Sequence, residues 1–176
     1  GAVSLRSAVG VDIDAVDRIV VETSADSARL DGKTFDSILA AQMSIPYGVA
    51  VAIVYGAPGL EHFDTSARED PRVLRLADLV DVRASEDPNI AHRAATARVS
   101  VSVGGTTLGI TVEEPSGNPG NPVDDRALEK KFRRLVEPVI GEEAATRLAE
   151  RVWSFGDRRG GEEESSELRF LRTLHS

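Results

Sequence analysis

No cysteine occurs among the 176 residues, which excludes disulfides, thiolate metal sites and cysteine nucleophiles on chemical grounds. Positive charge is also scarce: 21 Lys and Arg stand against 29 Asp and Glu, for a net charge near -8, and no dense basic tract interrupts the balance. The bulk positive field that draws proteins onto nucleic acid or anionic membrane is therefore missing, whereas a small anionic substrate needs only a few local cations. The longest apolar stretch, Met43 to Gly56, falls short of the ~20 residues that cross a bilayer, and it predicts a buried helix. The opening GAVSLRSAVG lacks both the charged start and the apolar core of a signal peptide, so a cytoplasmic protein is expected. It also lacks an initiator methionine, as a piece of a longer chain would.

Chemistry-bearing motifs are few. Only His62, His92 and His175 are present, at no metal-ligand spacing. No metal site is expected, and the first two histidines fall in predicted loops, where a surface role is the ordinary one and a catalytic acid or base the alternative. No phosphate-cradling glycine loop or its lysine appears, so no nucleotide cofactor is predicted. Ser116-Gly117 lacks the strand-turn-helix setting of a nucleophile elbow. The run Glu162 to Glu164 is expected to be a solvated helix start.

What is present is a clear succession of elements. Val16 to Thr23 is β-branched and bounded by a polar loop, which predicts a strand. From Ser44 to Gly56 a cap-like serine, a proline in the first turn and a terminal glycine frame an apolar helix. Asp70-Pro71 opens a short helix running into a strand. The segments ARVSVSV and TTLGITV alternate on either side of Gly104-Gly105, predicting a hairpin over 97–112 that pairs Val103 with Thr106, Val101 with Leu108 and Val99 with Ile110. Its apolar face must be covered, most economically by the helix at 44–56. After a Pro/Gly/Asn-rich loop everything becomes helical. Leu128, Phe132, Leu135 and Val139 share one face, Ala145, Leu148, Ala149 and Val152 another, with Gly141 as the break. Leu168, Leu171 and Leu174 suggest a last short helix. The expected fold is α+β, a small antiparallel sheet on an apolar helix followed by C-terminal helices, with a division into 1–121 and 122–176.

Tyr47 stands apart, since it follows a proline at the start of an almost wholly apolar helix. A buried phenol needs a hydrogen-bond partner. It can be a core tyrosine bonded to backbone, or a proton donor or carboxylate-orienting hydroxyl in a dry pocket.

The order SIPYGVAVAIVYG, DPRVLRLADLVDV, glycine-turn hairpin and PSGNPGNPVDDRALEKKF resembles the C-terminal part of MmgE/PrpD-family enzymes. The matching positions are Pro46-Tyr47, Gly56, Phe63, Pro115, Gly117, Asn121-Pro122 and Lys131-Phe132. The resemblance implies a lid domain that closes over a larger helical domain, in an enzyme such as 2-methylcitrate dehydratase, cis-aconitate decarboxylase or iminodisuccinate epimerase. Such enzymes move a proton beside a carboxylate of a small polycarboxylate, without metal or organic cofactor. It also implies a homodimer at full length and makes Tyr47 the one catalytic residue carried over. The family's catalytic histidines and lysines have no counterpart here, so a lid fragment without turnover is expected. Lys131 and Phe132 are expected to pack. Carboxylate recognition calls for cations, and Arg68, Arg72, Arg83, Arg93 and Arg98 are the candidates. A free-standing ligand-binding or dimerisation module without catalysis is the competing expectation.

Overall fold

Strand β1 (Val16–Thr23) runs through the middle of the fold because its alternate residues Ile19 and Val21 are apolar on one face. In this computed structural model, which describes residues 12–56, 58–93 and 95–157, the chain continues from β1 into two helices, α1 (Ile38–Gln42) and α2 (Ile45–Tyr55). Then come α3 (Thr65–Arg68), α4 (Pro71–Asp78), β2 (Val80–Ala84) and α5 (Pro88–Ala91). The hairpin β3 (Ala97–Val103) and β4 (Thr106–Val112) completes this part. Two helices, α6 (Asp125–Ile140) and α7 (Glu142–Asp157), follow. The suggested helix at Leu168, Leu171 and Leu174, the run Glu162 to Glu164, and His175 lie outside the described residues.

The chain divides between Asn121 and Pro122 into two compact units. In the first, the sheet has the order β2-β1-β3-β4. The α+β class holds, with one correction: β1 and β2 run parallel, so the sheet is mixed rather than antiparallel. The helices between β1 and β2 carry the chain back to the starting end of the sheet, which is what a parallel pairing requires. The hairpin register is the expected one, Val103 to Thr106, Val101 to Leu108 and Val99 to Ile110. Gly104 and Gly105, with φ of 53° and 82°, supply the positive dihedrals that a two-residue turn needs.

Pairing places apolar side chains in two rows across the sheet, Val80, Ile19, Val101 and Leu108, then Val82, Val21, Val99 and Ile110. The opposite face carries charge, with Arg18 on Asp81 at 2.7 Å and Arg98 on Asp87 at 2.9 Å. The core joins the apolar rows to α2 and to Val73, Leu76 and Ala77 of α4. Helix α2 is buried on nearly every side, Ile53 to 2% exposure, and each such side chain contributes roughly 1.5–3 kcal/mol. Ser44 caps it by accepting from the Tyr47 N–H at 3.1 Å, Pro46 occupies the first turn, and Gly56 ends it at φ 90°.

The second unit is a helical hairpin turned at Gly141. Arg133 holds it on the polar side, bonding Glu129 and Glu137 of its own helix and Thr146 of the next. Most of its apolar residues stay uncovered. Leu128, Leu135, Val139 and Val152 are exposed, and only Ala145 and Ala149 are buried among the described residues. Phe132 is partly buried, while Lys131 is exposed rather than packed. Two helices present two apolar stripes to each other but cannot cover both faces of the pair. No described helix is long and apolar enough to cross a membrane.

Candidate functional site around Tyr47

Tyr47 sits in the first turn of α2 with no accessible surface. Its ring lies against Phe35, at 4.9 Å between centroids, and Phe63, at 5.6 Å. Both pairs are tilted, an arrangement aromatic quadrupoles favour. The hydroxyl donates to the His62 carbonyl at 2.6 Å. Burial first, and the neighbouring Tyr55 second, push the phenol up to about 12, so it is protonated across the neutral range. Its single proton is committed to a backbone carbonyl in the turn Leu60–Phe63.

Arg68 fastens the backbone at both phenylalanines. Its Nη1 donates to the Phe35 carbonyl at 2.6 Å, its Nε to the Phe63 carbonyl at 3.2 Å, and its Nη2 to Thr65 Oγ1 at 3.3 Å. A guanidinium carries five donors in a fixed fork. One side chain thereby joins the loop before α1 to the turn before α3. A cavity of about 610 Å³ opens here, bordered by Lys33, Thr34, Phe35, Thr65, Arg68 and Glu69.

At the far end of α2, the Tyr55 hydroxyl donates to Asp70 Oδ2 at 2.7 Å. Asp70 also caps α4, accepting from the Arg72 N–H at 2.8 Å, and receives the Arg72 guanidinium at 2.6 Å. The Arg72 hydrogen bonds hold the Asp70 carboxyl well below the usual carboxylate range. The Tyr55 ring stacks on the His62 imidazole at 4.3 Å and 10°. His62 Nδ1 in turn accepts the Gly59 N–H at 2.9 Å.

The five candidate arginines are thus not equivalent. Arg68 is spent on backbone carbonyls and Arg72 on Asp70. Arg83 and Arg98 meet Glu22, and Arg98 also Asp87, on the outer sheet face. Arg93 has no side-chain partner among the described residues and borders a separate cavity of about 260 Å³ with Asn89, Thr96 and Thr111. His92, past the end of α5, is exposed and does not join His62. Ser116-Gly117 lies in a turn, and among the described residues no cluster of His, Asp and Glu is suited to a metal ion.

The family model of the MmgE/PrpD C-terminal domain matches residues 1–155. The chain belongs to that family. Weaker similarity links this MmgE/PrpD domain to N-acetylmuramic acid 6-phosphate etherases. The relative in Cronobacter sakazakii (strain ATCC BAA-894) is 29% identical over 106 residues, covering 58% of this chain and 34% of the etherase. That in Enterobacter sp. (strain 638) is 27% identical over 133 residues, 73% of this chain and 43% of the etherase. The chain therefore spans less than half the length of these curated relatives, at identities too low to assign it to them.

Tyr55, His62, Asp70 and Arg72 were not grouped by sequence reasoning. Asp70 reads as a helix cap, which it is, and its second role toward Tyr55 leaves no trace in spacing. One usable signal was the separation of Gly59 and His62, which suits a side chain bonding back to an N–H three residues earlier.

Proposed function

We propose that this chain is the C-terminal lid part of an MmgE/PrpD-type lyase or isomerase acting on a small polycarboxylate without metal or organic cofactor. The observation that carries this proposal is the family match over residues 1–155. Its partners are the small substrate, an N-terminal helical domain bearing the acid-base groups, and a second copy in a homodimer of the full-length enzyme, in the cytoplasm. The exposed apolar residues Leu128, Leu135, Val152 and Trp153 suit a chain that packs against further protein.

In this role the lid excludes water from a reaction in which a proton leaves or joins a carbon beside a carboxylate. Tyr47 contributes as a positioning residue, its protonated phenol holding the 59–63 turn through the His62 carbonyl. Direct contact between the phenol and substrate is the sharper form of the same role, and it requires that turn to open.

The test uses the full-length gene product with 2-methylcitrate, cis-aconitate and iminodisuccinate, and with N-acetylmuramic acid 6-phosphate because of the etherase similarity. Turnover of one polycarboxylate is expected, with none by the 176-residue chain alone. Turnover of the sugar phosphate only would overturn the polycarboxylate assignment. Turnover by the short chain would overturn its dependence on a partner domain. In the full-length enzyme Tyr47→Phe is expected to lower kcat/KM about tenfold, the scale of one well-placed hydrogen bond. An unchanged value makes Tyr47 purely structural.

A further inference from the structure

His62 is held more firmly than a loop histidine needs to be. It lies in the turn Leu60–Phe63 and is only partly buried, yet three contacts define its position. Its carbonyl takes the Tyr47 hydroxyl at 2.6 Å, its ring stacks on Tyr55 at 4.3 Å, and its Nδ1 accepts from the Gly59 N–H at 2.9 Å. Tyr55 is itself fixed by Asp70, which Arg72 holds ionised. A backbone N–H can only donate, so Nδ1 presents a lone pair and the neutral ring carries its proton on Nε2. Among the described residues that Nε2 has no partner. By contrast, the exposed His92 has neither ring contact nor side-chain hydrogen bond among the described residues.

We propose that the Nε2–H of His62 donates a hydrogen bond to a carboxylate oxygen of the substrate. The proposal rests on the polycarboxylate reading above and deepens it by naming a substrate-contacting residue of the lid. A neutral donor fixed through its other nitrogen orients a carboxylate without bringing a mobile charge, and an orienter of this kind works when its own rotamer is locked by its neighbours. The chain from Arg72 through Asp70 and Tyr55 supplies that lock on the ring from one end of α2, while Tyr47, at the other, holds the His62 backbone through its carbonyl. The two tyrosines of the helix thus hold one residue.

Two variants of the full-length enzyme separate contact from scaffolding. The amide nitrogen of Gln in His62→Gln reaches the place of Nε2 and restores a donor there. The amide oxygen of Asn in His62→Asn reaches the place of Nδ1 and keeps the Gly59 bond, while losing the outer donor. On the polycarboxylate that wild type turns over, His62→Asn is expected to lose about tenfold to a hundredfold in kcat/KM, carried mainly by KM, with thermal stability close to wild type. His62→Gln is expected to retain at least about tenfold more kcat/KM than His62→Asn. Equal values in the two variants, whether both high or both low, or a better Asn variant, would overturn the contact and make His62 a turn-former. If wild type turns over no polycarboxylate, the function proposed above falls and takes the contact with it, an outcome distinct from either pattern.

Discussion

The two units of this chain reach stability by different means. Residues 12–121 pack α2 and α4 into one core with the apolar face of the sheet, so Ile19, Val51, Ile53, Val73 and Leu76 all lie at 2% exposure or less. Residues 122–157 form two amphipathic helices that bury only Ala145 and Ala149, leaving Val139 at 79% exposure. The first unit has a core of its own. The second leaves apolar surface exposed, and Arg133 bonds Thr146 across its two helices. Sheet-and-helix layers can cover each other's apolar faces, whereas one helical pair leaves apolar surface uncovered.

The contrast breaks most easily at a pair of charges. Ile53→Asp places a carboxylate where no water or cation reaches it, and a loss of about 4 kcal/mol or more is expected in denaturant titration, enough to unfold a marginal unit. Val139→Asp puts the same group on an exposed face and should shift stability by no more than about 0.5 kcal/mol. Comparable losses from the two would mean that the second unit has a core after all.

A smaller effect sharpens what α2 does for the site. Tyr47→Phe keeps the ring between Phe35 and Phe63 but removes the bond to the His62 carbonyl, which costs about 1–2 kcal/mol. The variant also alters the pH dependence in a defined direction. The folded phenol is pushed up to about 12 while the unfolded one titrates near its ordinary value, about 10. Below pH 10 both states keep the proton and the contribution is complete. Between 10 and 12 only the folded state keeps it, so stability falls as pH rises through that window. Tyr55 is shifted in the same direction by burial and by Asp70, so the wild-type decline carries both tyrosines. Stability measured from pH 8 to 12 should decline less steeply in Tyr47→Phe than in wild type. Parallel curves would mean that the Tyr47 hydroxyl is not buried in solution.

Much of this architecture is written in local pattern. A two-glycine turn fixes the register of β3 and β4, and Ser44, Pro46 and Gly56 fix the limits of α2 because caps act within one turn. The parallel pairing of β1 with β2 is not local. Nothing in VDRIVVET or VDVRA states which way the other runs, and the four intervening helices decide it. Tyr47 stood out by its place and by family resemblance. Of its partners Phe63 stood out only as a family position, and the meeting of Phe35, His62 and Phe63 with Tyr47 follows only when the loop before α1 and the turn before α3 fold against the helix. His62 in particular looked like a surface histidine, since the contacts that fix it come from the backbone of Gly59 and the ring of Tyr55. The apolar stripes of α6 and α7 mark which residues need cover without stating what provides it.

The smallest expected effects test whether polar bonding holds the second unit together. Arg133 reaches from α6 to Thr146 of α7 at 2.9 Å while gripping Glu129 at 2.7 Å, so it joins two elements. Among the described residues Arg147 pairs only with Glu143 one turn earlier on its own helix, at 2.6 Å and largely in solvent. Exposed pairs at that spacing contribute about 0.3–0.5 kcal/mol, and less in high salt. Arg133→Ala should therefore lower the melting midpoint of the helical hairpin by about 1 kcal/mol equivalent, because it loses a bond between the helices as well as the pairs along one. Arg147→Ala should stay within about 0.5 kcal/mol. Helicity followed by circular dichroism on the chain, with and without 0.5 M salt, separates them, since salt should erase the Arg147 effect and leave most of that of Arg133. Equal small effects from both would shift the stability of α6 and α7 onto their apolar contacts, bringing the second unit closer to the first than its exposed Leu128, Val139 and Trp153 indicate.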